Sequence, residues 1–452
     1  MSITKLLKRT ALPDNLSAPV RVELRGAGLK DTACLADEIA AALGISQIIG
    51  QILVSRGVRS AAEAQAFIYP ALRDHLVSPQ QIKNIEDAAL HILRAVKEKC
   101  RITIFSDFDV DGLTSGVQLL LFLDWFGAQV DVYVPNRFSE GYGLSKGAIE
   151  RLAATGTQLL VTVDCGISSV SELALAKRLG LRTVVIDHHE PGPELPPADV
   201  VVDPAQDGCP FREYALAAAG VVWMLLIVLR NKAPEVLGSE ALKAKNALPD
   251  PKDFLDLASI GTICDMVPLV GMNRLLAHRG LEALRKTQRC GLSALLDVAG
   301  LQSRRIDSGH VAYVVGPRMN AAGRLGDAND VIRLLTTKDA KKAKRLAQSI
   351  DRLNSDRRTI EEAVLSSCLA QLSQNPSLLA QPAIALYGEN YHLGVIGIVA
   401  QRLVERFNRP VAVMGPGEIE MGEGMQRVVK GSVRSVDGFH VADNLSKLAR
   451  LL

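Results

Sequence analysis

Aromatic side chains are scarce in this chain of 452 residues: Phe, Trp and Tyr together make up 4%. A surface that holds nucleic acid mainly by stacking its bases is therefore not favoured by composition. Cysteine supplies no framework either. The seven cysteines (Cys34, Cys100, Cys165, Cys209, Cys264, Cys290 and Cys368) are odd in number and scattered, with no Cys-x-x-Cys pair. That pattern excludes a zinc ribbon of the usual spacing and argues against a disulfide scaffold, so reduced cytosolic thiols are expected. Neither sign of charge dominates: 52 Lys and Arg stand against 49 Asp and Glu, a net charge of +3. Composition alone does not call for nucleic acid, and any phosphate-binding surface must be local. Long apolar runs are missing too. Residues 1–13 carry no apolar core of a signal peptide. The most apolar stretch, residues 214–229, contains Gly220 and is short for a membrane span. A buried helix, no membrane association and a cytoplasmic location are expected.

What is present is ordinary globular material: 48% hydrophobic and 22% charged residues. At about 100–200 residues per domain, this length makes two to four domains. Near the N-terminus, Ala41-Ala42-Leu43, Ile48-Ile49 and Ile52-Leu53 recur at helical spacing. From Arg101 the pattern changes to short β-branched apolar runs at 102–105, 130–134, 159–163 and 183–186, separated by helical patterns. Strands alternating with helices predict a parallel sheet covered by helices on both faces. Residues 204–301 read mostly as helices. Residues 338–372 hold no Pro or Gly and predict one long helix. After Asn375-Pro376 a second, smaller alternation begins, with strands at 383–387 and 411–414 around a helix at 395–407.

The acids fall where the strands end. The first strand runs into Ser106-Asp107-Phe108-Asp109-Val110-Asp111-Gly112, the third ends at Asp164, and the fourth ends at Asp187-His188-His189. Asp265 follows an apolar helix over 254–263. Ligands of open α/β sheets bind beyond the carboxyl ends of the strands, so these acids share one edge. Two like charges 4 Å apart repel by about 4 kcal/mol at an effective dielectric near 20. Divalent cations relieve that repulsion, and oxygen ligands with an imidazole suit Mn²⁺ or Mg²⁺. Carboxylates shared by two ions would make the two-metal arrangement for displacement at phosphorus. Each part has a plainer reading: aspartates at βα turns also cap helices, and adjacent histidines also occur on surfaces. A calcium loop is excluded because Gln118 stands where its bidentate Glu would be.

At these residues the sequence resembles the DHH phosphoesterases. Ser106–Gly112, Val163-Asp164-Cys165-Gly166-Ile167-Ser168, Asp187-His188-His189 and Gly261-Thr262-Ile263-Cys264-Asp265 are similar to that family's four motifs. Three further strings resemble RecJ-type single-strand-specific exonucleases: those around Asn136-Arg137 and Gly141-Tyr142-Gly143, around Arg318-Met319-Asn320-Ala321-Ala322-Gly323-Arg324, and around His392-Leu393-Gly394. The resemblance implies an α/β protein with a parallel-sheet DHH domain, N-terminal helices, a connector helix and a smaller α/β DHH-associated domain. The corresponding division is an N-terminal helical cap over 1–95, the DHH domain over 96–335, the connector over 336–375 and the associated domain over 376–452.

The resemblance also implies a reaction: 5′ to 3′ hydrolysis of single-stranded DNA to mononucleotides, in DNA repair and recombination, dependent on two divalent ions, Mn²⁺ or Mg²⁺. The metal ligands would be Asp107, Asp109, Asp111, Asp164, His188 and Asp265. His189 would face the scissile phosphate, and a water made acidic by the ions would attack. Arg318 and Asn320 would contact phosphate or the metal edge. Arg324 is either a substrate contact or a structural ion-pair partner. His392 and Gly394 would offer backbone donors to phosphate, and Arg434 and Ser435, in a Gly431-Ser432-Val433-Arg434-Ser435 turn, would add to them. The basic face of the long helix is either a solvated surface or a wall for the DNA backbone. The implied partners are single-stranded DNA and a single-strand-binding protein or helicase, with the chain a monomer.

Some residues depart from the family pattern. Val433 stands in the place of a glycine, Ser106 where Gly is usual and Cys264 where Ala is usual. The chain ends at Leu452, short of a Gly-Gly-His segment and an oligonucleotide-binding barrel, so weak and poorly processive activity is the expectation. Two other functions remain open on the residues: cleavage of short oligonucleotides or cyclic dinucleotides, and non-catalytic nucleic-acid binding. The retained metal ligands speak against the latter.

Overall fold

The computed structural model describes residues 30–238, 248–302, 305–421 and 424–447. The chain divides into two compact units, Leu29–Asn354 and Ser355–Leu452. In the first, three short helices open the described chain: α1 (Lys30–Leu43), α2 (Gln47–Ser55) and α3 (Ala61–Ile68). Ser46 and Ser60 cap the latter two by accepting backbone N–H groups from Ile49 and Glu63, which satisfies donors that a helix start leaves orphaned. Ala36, Ile39, Leu53, Val54 and Ala64 form their own small core.

Helix α4 (Ile85–Lys97) leads into β1 (Arg101–Ser106), followed by α5 (Val110–Trp125), β2 (Gln129–Tyr133), α6 (Lys146–Ala154), β3 (Leu159–Val163), α7 (Val170–Arg178), β4 (Arg182–Ile186) and β5 (Val200–Val202). All pairings are parallel, in the order β2-β1-β3-β4-β5. Alternate strand residues go to opposite faces. Ile102, Ile104, Val161, Val163, Val184 and Ile186 join a core with α4 and α5. Phe105, Leu160, Val185 and Val201 pack with Ile149 and Leu173 of α6 and α7 on the other side. Helices on both faces explain why the inner strands β1, β3 and β4 carry apolar residues on both sides. The strand β5 was not among the expected ones: at three residues it is too short to stand out as a periodic run.

The chain leaves β1 for β2 on one side and returns to β3 on the other. This is the switch point where the strand ends splay and a crevice opens. Around it, α8 (Ala218–Leu237) and α9 (Leu255–Cys264) pack against α5, and α10 (Gly271–Leu284) packs against α9. The apolar stretch read as a buried helix is α8, with Val221, Trp223 and Leu225 in the core. Further on come α11 (Cys290–Val298), α12 (Gly316–Leu325), preceded by a π turn, and α13 (Asn329–Thr336).

The long helix is α14 (Ala340–Gln374), whose residues from Ser355 onward belong to the second unit. There, β6 (Ile384–Tyr387), α15 (Ile396–Phe407), β7 (Val411–Met421) and β8 (Gly424–Arg434) follow, with α16 (Val441–Lys447) last. Val364, Cys368 and Leu372 of α14 pack with Ile384, Leu386, Val399, Leu403 and Val411. Buried Glu361 accepts Arg357 at 2.6 Å and Arg402 at 2.8 Å. Two expectations need correction here. The strand begun at Val411 is not a short one; it extends to Met421 and forms an antiparallel ribbon with β8. The Gly431–Arg434 segment is not a turn but the end of β8, with Gly431 opposite Met414 and Val433 opposite Ala412. Valine suits a strand position better than a turn, which accounts for Val433 where the resemblance has glycine.

Close helix packing around the switch point depends on glycine. A Cβ at Gly261 of α9 would lie 2.4 Å from Ala219 Cβ, 2.5 Å from Thr114 Oγ1 and 2.6 Å from Asp111 Oδ1. The substitution Gly261→Ala is expected to destabilise the chain by about 1–3 kcal/mol through overpacking. Urea denaturation checks this, and an unchanged midpoint would show that the three helices separate freely.

Candidate metal centre

Each acidic segment takes its position from the element that precedes or follows it. Asp107 continues β1 by donating its N–H to Val163 O (3.3 Å). Asp109 caps α5: its Oδ1 accepts from Asp111 N at 2.9 Å and Gly112 N at 3.1 Å. Capping and metal binding are thus compatible in one carboxylate, because Oδ2 takes no part in the cap. Gly112 is required here, since a Cβ would lie 2.6 Å from Asp107 O. Asp111 is buried, and its two oxygens accept from Ala218 N (2.7 Å) and Ala219 N (2.9 Å). Those amides belong to the first residues of α8, where unpaired donors and the helix dipole favour an anion. Asp164 follows β3 with φ 61°, a left-handed conformation that costs an ordinary side chain about 1–2 kcal/mol and that Asp tolerates. Such strain is common at functional sites.

The convergence expected from the strand ends is present. His188 Nε2 lies 3.2 Å from Asp164 Oδ1, 3.8 Å from Asp111 Oδ2 and 3.8 Å from Asp265 Oδ2. Three overlapping groups each have ligand atoms within 4.8 Å of one another: Asp107 with Asp109 and Asp164; Asp111 with His188 and Asp265; and Asp164 with His188 and His189. Asp164 and His188 each fall in two groups; of the two, the Asp164 carboxylate is the one that two neighbouring cations could share, since a neutral imidazole has a single lone pair to give. Two buried atoms, Asp107 Oδ1 and His188 Nε2, have no hydrogen-bond partner among the described residues. A buried polar atom without a partner costs about 1–3 kcal/mol, and a cation at either would remove that cost. The donor set, oxygen with one or two imidazoles, fits Mn²⁺ or Mg²⁺.

Electrostatics point the same way. Burial, and then the Asp109 charge, push Asp107 up to about 8 and Asp111 up to about 7. Burial and the Asp111 charge push Asp265 up to about 7. Asp164 rises well above the carboxylate range through burial and then Asp109, Asp111 and Asp107. Burial lowers His188, leaving a neutral imidazole able to act as a ligand. Asp187 behaves differently. Burial opposes its charge, but the His189 ring and the N–H groups of Ile167 (3.0 Å) and His188 (2.8 Å) win, and its pKa falls. Its Oδ1 holds His189 Nδ1 at 2.7 Å, which raises that histidine to about 9.

The other expected site residues are placed as follows. Arg318 of α12 is already engaged: Nε pairs with Asp351 Oδ1 and Nη1 donates to Val314 O, both at 2.8 Å. Asn320 and Arg324 lie on the same helix, half-buried. His392, Gly394, Arg434 and Ser435 belong to the second unit. There, His392 Nδ1 accepts from Gly394 N at 3.0 Å, Arg434 Nη1 donates to Val433 O at 2.9 Å and Ser435 Oγ donates to Phe439 O at 2.8 Å. Of the departures noted above, Ser106 is buried and donates to Asp107 O (2.8 Å), and Cys264 reaches Val311 O (3.8 Å). Both substitutions are absorbed by the packing behind the acids.

Three contributors were not foreseen. Asp203, at the end of β5, is buried; its Oδ1 accepts from Ala205 N (2.7 Å), its Oδ2 has no partner among the described residues, and burial pushes it up to about 7. Its signal in the sequence was an acid after an apolar triplet, but the triplet was not recognised as a strand. The Tyr142 ring stands edge-on to Phe108 with centroids 6.0 Å apart. Its hydroxyl is pushed above its usual range by burial and by Asp107 and Asp164. Buried Asn273 of α10 donates its side-chain amide to Tyr214 O (3.0 Å), Ala215 O (2.9 Å) and Pro268 O (3.1 Å). It therefore ties the segment that leads into α8, and so to Asp111, to the segment that follows Asp265. Nothing local in the sequence announces such a clamp.

Comparison with known proteins agrees with this geometry. The family model "DHH family, N-terminal domain" matches residues 101–262, the span that carries all the strand-end acids. The single-stranded-DNA-specific exonuclease RecJ of Bacillus subtilis (strain 168) is 38% identical over 412 residues, 91% of this chain and 49% of that protein. The RecJ exonuclease of Escherichia coli (strain K12) is 35% identical over 436 residues, covering 95% and 72%. The crystal structure of RecJ in complex with Mn²⁺ from Thermus thermophilus superposes with a TM-score of 0.76 at 32% identity, covering 93% of this chain and 56% of that one. The chain spans about half the length of the Bacillus relative.

Two measurements test the centre. The raised carboxyls bind more protons folded than unfolded between their unfolded pKa, near 4, and their folded values of about 7 to 8. Stability therefore falls as pH rises through that window. Without metal, the melting temperature is expected to drop by about 5 °C between pH 5 and pH 8, and Mn²⁺ should restore it; a flat metal-free profile would refute the crowding of these acids. The substitution Asn273→Ala is expected to weaken Mn²⁺ binding about 10–100-fold, as loss of ligand support does elsewhere. Electron paramagnetic resonance titration reads this directly, and an unaltered affinity would remove Asn273 from the centre's support.

Proposed function

Because the chain belongs to the RecJ family of DHH phosphoesterases, we propose that it hydrolyses single-stranded DNA from the 5′ end and releases mononucleotides. The observation that carries this reading is the overlap of adjacent ligand groups at Asp164, beside His188, at the β1/β3 switch point. Asp107, Asp109, Asp111, Asp164, His188 and Asp265 would hold two divalent ions, Mn²⁺ or Mg²⁺. When bound, such ions neutralise the charge on a phosphodiester and lower the pKa of water.

The protein's own groups do the rest. Asp187 fixes His189 through Nδ1, so Nε2 is the nitrogen free to meet substrate. The paired carboxylate keeps His189 protonated at neutral pH, and the imidazolium donates a hydrogen bond to a phosphate oxygen as negative charge builds there. The amides of Ala218 and Ala219 hold Asp111 against the repulsion of its neighbours. Arg318, anchored by Asp351, is the candidate guanidinium donor toward phosphate. Asn320, Arg324, His392, Gly394, Arg434 and Ser435 are the candidates for holding the strand. Scarce aromatics favour contacts to the backbone over base readout. The setting we infer is a cytoplasmic monomer acting in DNA repair and recombination, alongside a single-strand-binding protein or a helicase. Among the described residues, no helix is long and apolar enough to cross a membrane.

A Mn²⁺-dependent assay on single strands labelled at the 5′ or the 3′ end tests this. The 5′ label is expected to appear first as a mononucleotide, and Asp164→Ala should lower the rate at least about a hundredfold. Products of two to four nucleotides cleaved in preference to long strands would favour an oligonucleotide phosphodiesterase instead. An unchanged rate in Asp164→Ala would overturn the site.

A further inference from the structure

A cavity of about 450 Å³ lies in the first unit, between the N-terminal helices and the start of α10. That volume falls in the range of small-molecule sites, which are mostly apolar with a few placed polar groups. The walls fit this description: Val58, Phe67, Leu76, Tyr214, Met272 and Leu275 are all apolar or aromatic. None of the acids of the metal centre lines it.

Two guanidinium groups, Arg56 and Arg274, also line the cavity. Arg274 lies over the Phe67 ring, 3.6 Å from its centroid, and donates Nε to Phe67 O. The guanidinium plane is thereby fixed. Neither arginine forms an ion pair among the described residues. Burial and the Arg56 charge both lower Arg274, and no carboxylate offsets them. The two acids in the lining are placed otherwise: Glu63 Oε2 accepts Arg59 N at 2.8 Å, and Asp74 sits in the first turn of the short helix Leu72–His75. Like charges brought together at the edge of an apolar space are costly unless an anion lies between them. Phe67, Leu76 and Tyr214 are half-buried, and the apolar surface they leave open is costly unless a flat body covers it.

We propose that this cavity binds a planar aromatic anion, its ring against Phe67, Leu76 and Tyr214 and its charge between Arg56 and Arg274. A planar guanidinium suits both halves of such a ligand, since it stacks on aromatic faces and pairs bidentately with carboxylate, sulfonate or phosphate. A nucleotide and a non-nucleotide aromatic acid share this chemistry. The assignment does not depend on the nuclease reading.

The test is a fluorescence titration of the full chain, metal-free, with 8-anilinonaphthalene-1-sulfonate, followed by competition with dAMP. One saturable site per chain is expected. Arg56→Gln should weaken it about tenfold, the loss of one charge-assisted contact. Ala66→Trp, which fills the space, should abolish it, and Asp164→Asn should leave it unchanged. Displacement by dAMP identifies a nucleotide site; failure of dAMP to displace the probe identifies a site for non-nucleotide aromatic acids. Arg56 is exposed and its side chain makes no hydrogen bond or ion pair among the described residues, so Arg56→Gln removes no contact of the fold. A non-saturable signal, binding indifferent to both Arg56→Gln and Ala66→Trp, or binding lost in Asp164→Asn would overturn the proposal.

Discussion

Buried carboxylates that cannot all be charged at once govern this protein. Asp111, Asp164 and Asp265 meet around one imidazole, and Asp107 and Asp109 adjoin them at Asp164; each pair in contact costs about 4 kcal/mol when ionised without a counter-ion. The fold bears that cost because parallel strands end together. Once β1, β3 and β4 lie in one sheet, the residues that follow them have no other place to go. The backbone supplies partial relief through the α8 amides on Asp111 and the α5 amides on Asp109. It leaves Asp107 Oδ1 and His188 Nε2 without hydrogen-bond partners among the described residues, and those are the atoms a divalent ion would take up.

The supporting structure serves to keep the acids from moving apart. Gly112 lets the start of α5 lie on Asp107, and Gly261 lets α9 press against Asp111. Asn273 joins the segments before α8 and after α9. Asp187 contributes no ligand to any of the three groups, yet it orders two loops and one histidine. Packing of this kind resists relaxation because interiors are close to crystal density. A repulsive cluster therefore persists as a preformed site rather than spreading out. The aromatic cavity beside α10 is built differently: its walls are mostly apolar, and it is lined by two guanidinium groups that have no ion-pair partner among the described residues.

Much of this was legible in the residues. The four longer strands of the first sheet, the helices between them and the long α14 followed from periodicity, because buried strands and amphipathic helices leave repeating marks. The edge strand β5 and the outer half of the β7–β8 ribbon left none. The first is three residues long, and the second is interrupted by Gly415, Pro416 and Gly417. The candidate ligands were visible because acids follow the strand ends and one apolar helix, and the structure brings those acids together. Asp203 escaped together with its strand. Arg318 stood out in the sequence as a candidate phosphate contact, but its engagement with Asp351 depends on how α12 and α14 pack.

The sequence by itself determined the sheet, the positions at which it offers carboxylates and imidazoles, and the kind of ion they suit, since each depends on neighbours within a few residues. Only the tertiary structure decided that His188 stands among three carboxylates from three segments, and that Asp111 is held by amides more than a hundred residues away. Only it brought together the two arginines that look into an apolar cavity. Local sequence sets conformation through torsional preference and hydrogen bonding. Burial, charge repulsion and close approach depend on distances between segments far apart in the chain, and those exist only once the helices and strands have packed.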